Sequence, residues 1–382
     1  MLNQNHNIFL IADHIDFEEI GGGARTSVLN FINNFKNQFN LSYLSLEYLN
    51  NYKIKKNNKI LLDETKCHYP KSIKTYYKLI IREIKKGKDI TFYFNGLYSK
   101  LGTLTPLILI VFYSFFYGKP NIVIAPRGGL SSGAMAVKPI RKIFYLKILK
   151  ILGLLKKVRF HVVSEHEKSD VVKILGQAYK SKCYPVGNIV NDQLNLKDVR
   201  FKVKSETLQI VFLSRIHPIK NLEFIIKLLN KLNFKYKFDI YGGIDDEKYY
   251  KKITKLIDIN DNDNINFYGA VSQNEVQNTL SKYDLFLLPT LGENFGHVIF
   301  ESLSVGTPVV ISDQTPWNDE KSPSLWCINL NNLNEWIKVI SDFNKLDIEN
   351  MNLIRMKAKE LSIEWLKRQK YETLYSELFN FK

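Results

Sequence analysis

Two glutamates, Glu293 and Glu301, frame the segment Pro289-Thr290-Leu291-Gly292-Glu293-Asn294-Phe295-Gly296-His297-Val298-Ile299-Phe300-Glu301. The apolar run Asp284 to Leu288 before it predicts a buried strand, and a helix is expected from near Gly296 to about Val305. Glu293 then falls on the loop at the strand's carboxyl end, and Glu301 two turns down the helix. The N–H groups of Asn294, Phe295 and Gly296 come to lie near a helix N-terminus, with Thr290 at the start of the loop. Unpaired donors and the helix dipole favour anionic or hydroxyl-rich ligands there. Carboxylates only accept hydrogen bonds, so one can take sugar hydroxyls and the other ribose hydroxyls. A sugar nucleotide presents both. The plain alternative is that Glu293 caps the helix and Glu301 is a solvated helical glutamate.

A second group follows the apolar run Leu208 to Leu213: Ser214-Arg215-Ile216-His217-Pro218-Ile219-Lys220-Asn221. Arg215 and Lys220 on a strand-to-helix loop can hold a diphosphate, the first as a planar fork and the second as a point charge. They can equally be a solvated loop pair. Gly242, in Tyr241-Gly242-Gly243 after the next expected strand, permits a close backbone approach to a ligand or simply makes a turn.

The elements that must position these residues are legible as alternating short β-branched or aromatic runs and longer amphipathic segments. Strands are expected at Asn7 to Ala12, Leu41 to Leu46, Ile90 to Phe94, Asn121 to Ala125 and Phe160 to Val163. The pattern restarts with Leu208 to Leu213, Lys237 to Tyr241, Ile265 to Tyr268, Asp284 to Leu288 and Pro308 to Ile311. This is an α/β chain with two doubly wound, Rossmann-like domains, each placing a ligand at the carboxyl ends of its strands. The boundaries fall at 1–195 and 205–360, with Asn188 to Glu206 as the polar linker. Leu361 to Phe379 reads as one amphipathic helix.

At 382 residues, with 45% apolar and 24% charged side chains, the chain is neither disordered nor fibrous. Cys67, Cys183 and Cys327 are too far apart for a disulfide framework or a zinc site, which suggests a reducing compartment. Met1 to Asn7 lacks a basic leader, so export is not expected. The run Pro106 to Tyr117 is short for a membrane span and reads as a buried helix. Residues 1–200 carry 31 Lys+Arg against 14 Asp+Glu, and residues 201–382 carry 23 against 24. No carboxylate occurs from Ile90 to Ser164. Halves so unlike in charge imply different partners.

Taken in order, Ser214 to Lys220 as S-R-x-x-x-x-K, the turn at Gly242, Phe267-Tyr268-Gly269, and Glu293 to Glu301 as E-x7-E followed by Gly306 to Asp313 resemble the retaining GT-B glycosyltransferases, specifically glycosyltransferase family 4. The likeness covers about a hundred residues. The N-terminal half is similar more loosely. Gly21-Gly22-Gly23 resembles the family's glycine loop, and Ala125-Pro126-Arg127-Gly128-Gly129-Leu130 a P-R-G-M-L-like loop of polysaccharide-assembling members. Asn95-Gly96-Leu97-Tyr98 stands where such relatives often read His-Gly-Leu-Trp. Asn95 can hold a hydrogen bond but not shuttle a proton, and reads as a buried structural asparagine.

The resemblance implies a GT-B fold, two such domains facing across a cleft, with the N-terminal one binding acceptor, the C-terminal one binding a nucleoside-diphosphate sugar, and the last helix returning to the first domain. It implies transfer with retention of configuration. Glu293, Arg215 and Lys220 would be catalytic; Glu301, Asn294, Phe295, Gly296, Gly242 and Thr290 would bind donor. Gly22, Gly23, Arg127 and Asn95 would line the acceptor and phosphate loops. Charge developing on the leaving diphosphate would be met by Arg215, Lys220 and the helix end, so neither a metal nor another cofactor is expected. Asp261-Asn262-Asp263 imitates a metal motif of another glycosyltransferase fold and reads as a turn. The basic segment Pro139 to Phe160 suits an anionic membrane surface and a lipid-linked acceptor, or packs on the sheet with its lysines solvated. The expected setting is cytoplasmic and peripheral to the membrane, in cell-surface polysaccharide or lipopolysaccharide synthesis. Nucleic acid is not an expected partner, since no such module is present. An inactive sugar-nucleotide-binding subunit and a soluble sugar synthase with a small acceptor are the alternatives.

Overall fold

The computed structural model describes residues 6–13, 23–46, 49, 67–136, 138–190, 199–201, 203, 205–259, 264–318 and 320–380. The turn at Asp261-Asn262-Asp263 and most of the expected linker lie outside them. Each of the ten segments read as strands forms one. In the N-terminal half these are β1 (Asn7–Ala12), β2 (Asn40–Ser45), β4 (Ile90–Asn95), β5 (Asn121–Ala125) and β6 (Val158–Val162), together with two short strands not anticipated, β3 (Cys67–His68) and β7 (Cys183–Pro185). All pair in parallel, in the order β3-β2-β1-β4-β5-β6-β7. The unanticipated strands are the two edges, where pairing on one side only leaves little periodicity to read.

Helices α1 (Gly23–Phe35), α2 (Ile73–Ile84), α3 (Thr105–Tyr117), α4 (Ser132–Ala136), α5 (Pro139–Ile151) and α6 (Glu165–Leu175) connect these strands. α2, α3, α5 and α6 share one core on one side of the sheet, through Tyr76, Ile80, Leu107, Ile110, Leu146, Leu149 and Val171. α1 packs in a separate core with Val28, Phe31 and Phe35. That division follows from right-handed crossovers running outward in both directions from β1.

The second half has β8 (Leu208–Leu213), β9 (Tyr236–Tyr241), β10 (Ile265–Gly269), β11 (Leu285–Leu288), β12 (Val309–Ser312) and an unanticipated edge strand, β13 (Leu325–Ile328). These too are parallel, in the order β10-β9-β8-β11-β12-β13. Its helices are α7 (Leu222–Leu229), α8 (Glu247–Ile259), α9 (Gln273–Leu280), α10 (His297–Ser304), α11 (Leu333–Asn344) and α12 (Ile348–Arg368), and the chain ends with α13 (Tyr371–Phe379).

The chain divides into two units, with boundaries in sequence at Asn191/Asp192 and Gln369/Lys370. Three expectations are corrected. Asn188, Ile189 and Val190 are buried in the first unit, not part of a solvated linker. The segment Leu361 to Phe379 is two helices: Gln369 turns extended at the end of α12, and α13 belongs to the first unit. Trp365 of α12 packs on Phe295, Phe300 and Trp317, whereas Tyr375 and Phe379 of α13 pack on Phe31 and Phe35 or Phe39. A continuous helix could not serve two cores. Finally, α3 is not a buried helix: Phe112, Phe115 and Phe116 are exposed.

Candidate functional site

In the second sheet, β9 and β10 lie to one side of β8, while β11 lies on the other. The loops leaving β8 and β11 therefore diverge at the point where strand order reverses, the place where open α/β sheets bind ligands. Lys220 is on the first loop and Glu293 on the second. The apolar strands β8 and β11 carry both loops out of the core, and each loop is closed locally. His217 Nδ1 accepts the Ile219 N–H at 3.2 Å in a 3-10 turn over Pro218–Lys220. The Ile219 carbonyl then accepts Leu291 N–H at 2.7 Å and lies 3.0 Å from the Thr290 hydroxyl. Glu293 N–H donates to Gln314 O, just past β12, at 3.0 Å. Three neighbouring strand ends are thus stitched together, and Lys220 Nζ meets Glu293 Oε2 at 2.5 Å with both side chains largely buried.

Thr290 is a stitch rather than a free ligand group. Its hydroxyl is fully buried between Ile219 O and Gly292 O and also accepts Gly292 N–H. Phe295 is likewise internal, packed against Trp317 and Trp365, with its carbonyl accepting Trp317 Nε1–H at 2.7 Å. Among the described residues, no hydrogen-bond acceptor meets the N–H of Asn294, Phe295 or Gly296. Gly296 has φ +82°, and a Cβ there would stand 2.7 Å from Ile299 Cδ1, so only glycine turns the chain into α10 at this point.

Glu301, on α10, is 6% exposed. Its Oε1 accepts from Gln273 Nε2 at 2.6 Å, and Gln277, one turn further along α9, donates to Ser304 Oγ at 3.0 Å. Burial pushes the Glu301 carboxyl up to about 7, and the Gln273 amide pulls it back toward the charged form. It is not a solvated helical glutamate. Gln273 was missed from sequence, although its spacing from Gln277 marks one helical face.

Arg215 does not share a partner with Lys220: its Nη1 pairs with Asp245 Oδ2 at 2.6 Å, both groups half exposed. Gly242 explains itself within the scaffold. Its φ is +151°, and a Cβ would stand 1.8 Å from the Ser214 carbonyl oxygen, so the β8 and β9 loops approach each other through it.

In the first unit the order reverses between β1 and β4, and Asn95 lies at the end of β4. Gly22 lies outside the described residues; Gly23 opens α1. Asn95 is half-buried, its Nδ2 donating to Ala24 O at 3.2 Å and its Oδ1 accepting Arg127 Nε–H at 2.7 Å. Arg127, itself at φ +53°, also donates to Asn188 Oδ1 at 2.7 Å and Tyr93 OH at 3.0 Å. Tyr93 OH donates in turn to His161 Nδ1 at 2.6 Å, since His161 Nε2–H is directed at Val186 O, 2.8 Å away. Burial lowers His161 to about 3, so it is the neutral ring. Glu167 fixes the Arg127 loop by accepting the N–H groups of Gly128 and Val163. Arg127 thus anchors the scaffold beneath its loop.

Two doubly wound parallel domains of this order have clear counterparts among solved structures. Sucrose-phosphate synthase from Thermosynechococcus elongatus superposes with TM-score 0.72 at 15% identity, covering 98% of this chain and 99% of that one. Anabaena Alr3699/HepE, solved with UDP-glucose, superposes with TM-score 0.69 at 14% identity, covering 97% and 98%. The fold is GT-B. Within this GT-B chain, residues 196–321 match the family described as glycosyl transferases group 1, a stretch that contains Arg215, Lys220, Glu293 and Glu301. The O-antigen chain mannosyltransferase RfbU of Salmonella typhimurium is 24% identical over 310 residues, 71% of this chain and 82% of its own length. An uncharacterized 41.2 kDa protein in the cps region of Klebsiella pneumoniae is 24% identical over 63% of this chain and 65% of its own. The match spans 36% of the length of the uncharacterized glycosyltransferase MJ1178 of Methanocaldococcus jannaschii, at 26% identity.

Proposed function

We propose that this protein is a glycosyltransferase that moves a sugar from a nucleoside-diphosphate sugar to a saccharide acceptor in polysaccharide or lipopolysaccharide assembly, with retention of configuration and of the kind grouped in glycosyltransferase family 4. The observation that carries this reading is the Lys220–Glu293 pair at the strand-order reversal, beside the N–H groups of Asn294, Phe295 and Gly296, which have no acceptor among the described residues. An ammonium and backbone donors at one place answer the charge that builds on a departing diphosphate. In this reading Glu293 holds Lys220 and accepts from donor-sugar hydroxyls, Glu301 accepts from ribose hydroxyls, and Arg215 exchanges Asp245 for a phosphate oxygen. No step calls for a divalent cation or another cofactor. The matched neighbour solved with UDP-glucose and the relatives from O-antigen and cps systems support the donor class and the pathway class. The first unit would take a lipid-linked acceptor at the cytoplasmic face of the membrane.

Thermal-shift measurements against UDP, GDP, ADP, CMP and their sugar conjugates, with and without chelator, test the reading. One nucleoside diphosphate should raise the melting temperature by mass action, undiminished by chelator and abolished in Glu301→Ala. NMR of the anomeric proton in the product then reports the configuration. The internal engagement of both ends of the Asn95 side chain favours one alternative, an inactive sugar-nucleotide-binding subunit. That protein would show the nucleotide shift and no transfer with any acceptor.

A further inference from the structure

A helix that closes a crossover over a parallel sheet turns its apolar side inward and its polar side to water. α3 does not. Its inner side is Leu107, Ile110 and Ser114, buried in the sheet core. Its outer side is Ile108, Val111, Phe112, Phe115 and Phe116, spaced as one continuous helical stripe, with Phe115 79% and Phe116 72% exposed. No charged residue occurs from Leu101 to Gly118, and Lys100 and Lys119 close the two ends. α5 repeats the arrangement beside it, because β4, β5 and β6 are hydrogen-bonded neighbours and both helices share the same core. Ile140, Phe144 and Ile151 face water at 82%, 65% and 83% exposure, among Lys138, Arg141, Lys147 and Lys150.

We infer that α3 and α5 form a monotopic docking face for an anionic lipid bilayer, with Phe112, Phe115 and Phe116 of α3 entering the acyl boundary and the α5 cations meeting the headgroups. Charge complementarity selects this occupant. The sequence from Ile90 to Ser164, which contains both helices, has no carboxylate to repel acidic headgroups, and aromatic residues bordered by lysines are what the interface between headgroups and acyl chains accommodates. By length and composition Lys100–Tyr117 would suffice to cross a membrane. It lies flat instead: its ends lead from β4 and into β5, parallel neighbours, and Leu107 and Ile110 hold it to their sheet. The inference deepens the acceptor side of the proposed function and rests on it only for what the membrane would deliver, a lipid-linked saccharide.

The test uses the full chain and vesicles of phosphatidylcholine alone or with phosphatidylglycerol. Binding to the anionic vesicles should be strong at low salt, weaken with added salt, and fall at least tenfold in Phe115→Ser/Phe116→Ser and in Lys147→Glu/Lys150→Glu. In Phe116→Trp, lipids brominated near the headgroup should quench the new fluorescence; the native tryptophans, at 317, 326, 336 and 365, lie in the second unit and report the background. Absence of vesicle binding, or binding unchanged in both double variants, overturns the inference. So does a stable dimer by ultracentrifugation that the phenylalanine variant dissolves, since a second copy would then be the occupant. The nucleotide thermal shift is recorded on the same samples. Its retention in the phenylalanine variant shows an intact fold, and its absence in the wild type with vesicle binding intact refutes the transferase and leaves the docking face standing.

Discussion

Lys220 and Glu293 are 73 residues apart in sequence and 2.5 Å apart in space, an ion pair between the loops that leave β8 and β11. Neither loop alone specifies it. The Ile219 carbonyl, accepting from Leu291 N–H, ties the two loops together one residue before Lys220 and two before Glu293. A lysine held this way keeps a fixed position without the entropy of an unrestrained side chain, which in the proposed function serves a phosphate oxygen.

Removing either partner should therefore affect both stability and turnover. Lys220→Met leaves a largely buried carboxylate uncompensated and should cost about 2 kcal/mol in a urea titration, with part of it recovered in Lys220→Met/Glu293→Gln. Turnover should fall by about 10²-fold or more in each single variant, which loses the positioned ammonium or its partner, and should stay low in the double variant, which regains packing but no positive charge. Additive stability losses would show that the two groups do not act as a pair.

If Glu301 binds ribose as proposed, nucleotide affinity should depend on pH. Its carboxyl is raised from the ordinary value to about 7, so the folded state holds the proton more tightly than the unfolded chain does. Stability should decline as pH rises from about 4.5 to about 7, by at most about 3 kcal/mol from this group. Glu301→Gln should remove that decline and be more stable than wild type at pH 8, while binding nucleotide at least tenfold more weakly. Gln273→Leu removes the hydrogen bond to the carboxylate, so the loss of affinity on acidification should begin at higher pH than in wild type. Isothermal titration across pH 6 to 9, referenced to Glu301→Gln, separates this from titration of the ligand.

Among the described glycines of the second unit, Gly242 is the least replaceable. Alanine there has both an unfavourable φ of +151° and a Cβ 1.8 Å from Ser214 O. Backbone has to move in response, so Gly242→Ala should cost on the order of 3 kcal/mol or more and weaken nucleotide binding together with stability. Gly243→Ala, whose Cβ would meet only the Ala270 Cβ at 4.0 Å, should cost under about 1 kcal/mol. Equal effects in a side-by-side melt would remove the packing account.

Acid should attack the first unit through His161. Its folded value near 3 lies below the unfolded one near 6.5, so the stability it confers is present above pH 6.5 and is lost as pH falls toward 3. Protonation would place a cation beside the Arg127 network and remove the acceptor of the Tyr93 hydroxyl. In His161→Gln the slope of stability against pH should flatten over that window. Near-UV circular dichroism, compared between wild type and His161→Gln, follows it through Tyr93 and Tyr375, which contact His161.

The sequence by itself determined the ten principal strands, their grouping into two doubly wound domains, and the placement of Lys220, Glu293 and Glu301 on loops or a helix after β8 and β11. These are properties of local periodicity and of glycine, proline and carboxylate spacing, which a chain carries wherever it folds. Only the tertiary structure decided the rest. Thr290 and Arg127 look from sequence like ligand groups, and both have internal partners that come from distant loops: Ile219 for one, Asn95, Tyr93 and Asn188 for the other. Gln273 gained a role because α9 packs beside α10. α3 is apolar on both sides, so periodicity could not distinguish a helix buried in protein from one with a face exposed to solvent. Hydrophobicity states that a surface avoids water; which neighbour covers it is settled only when the chain has closed on itself.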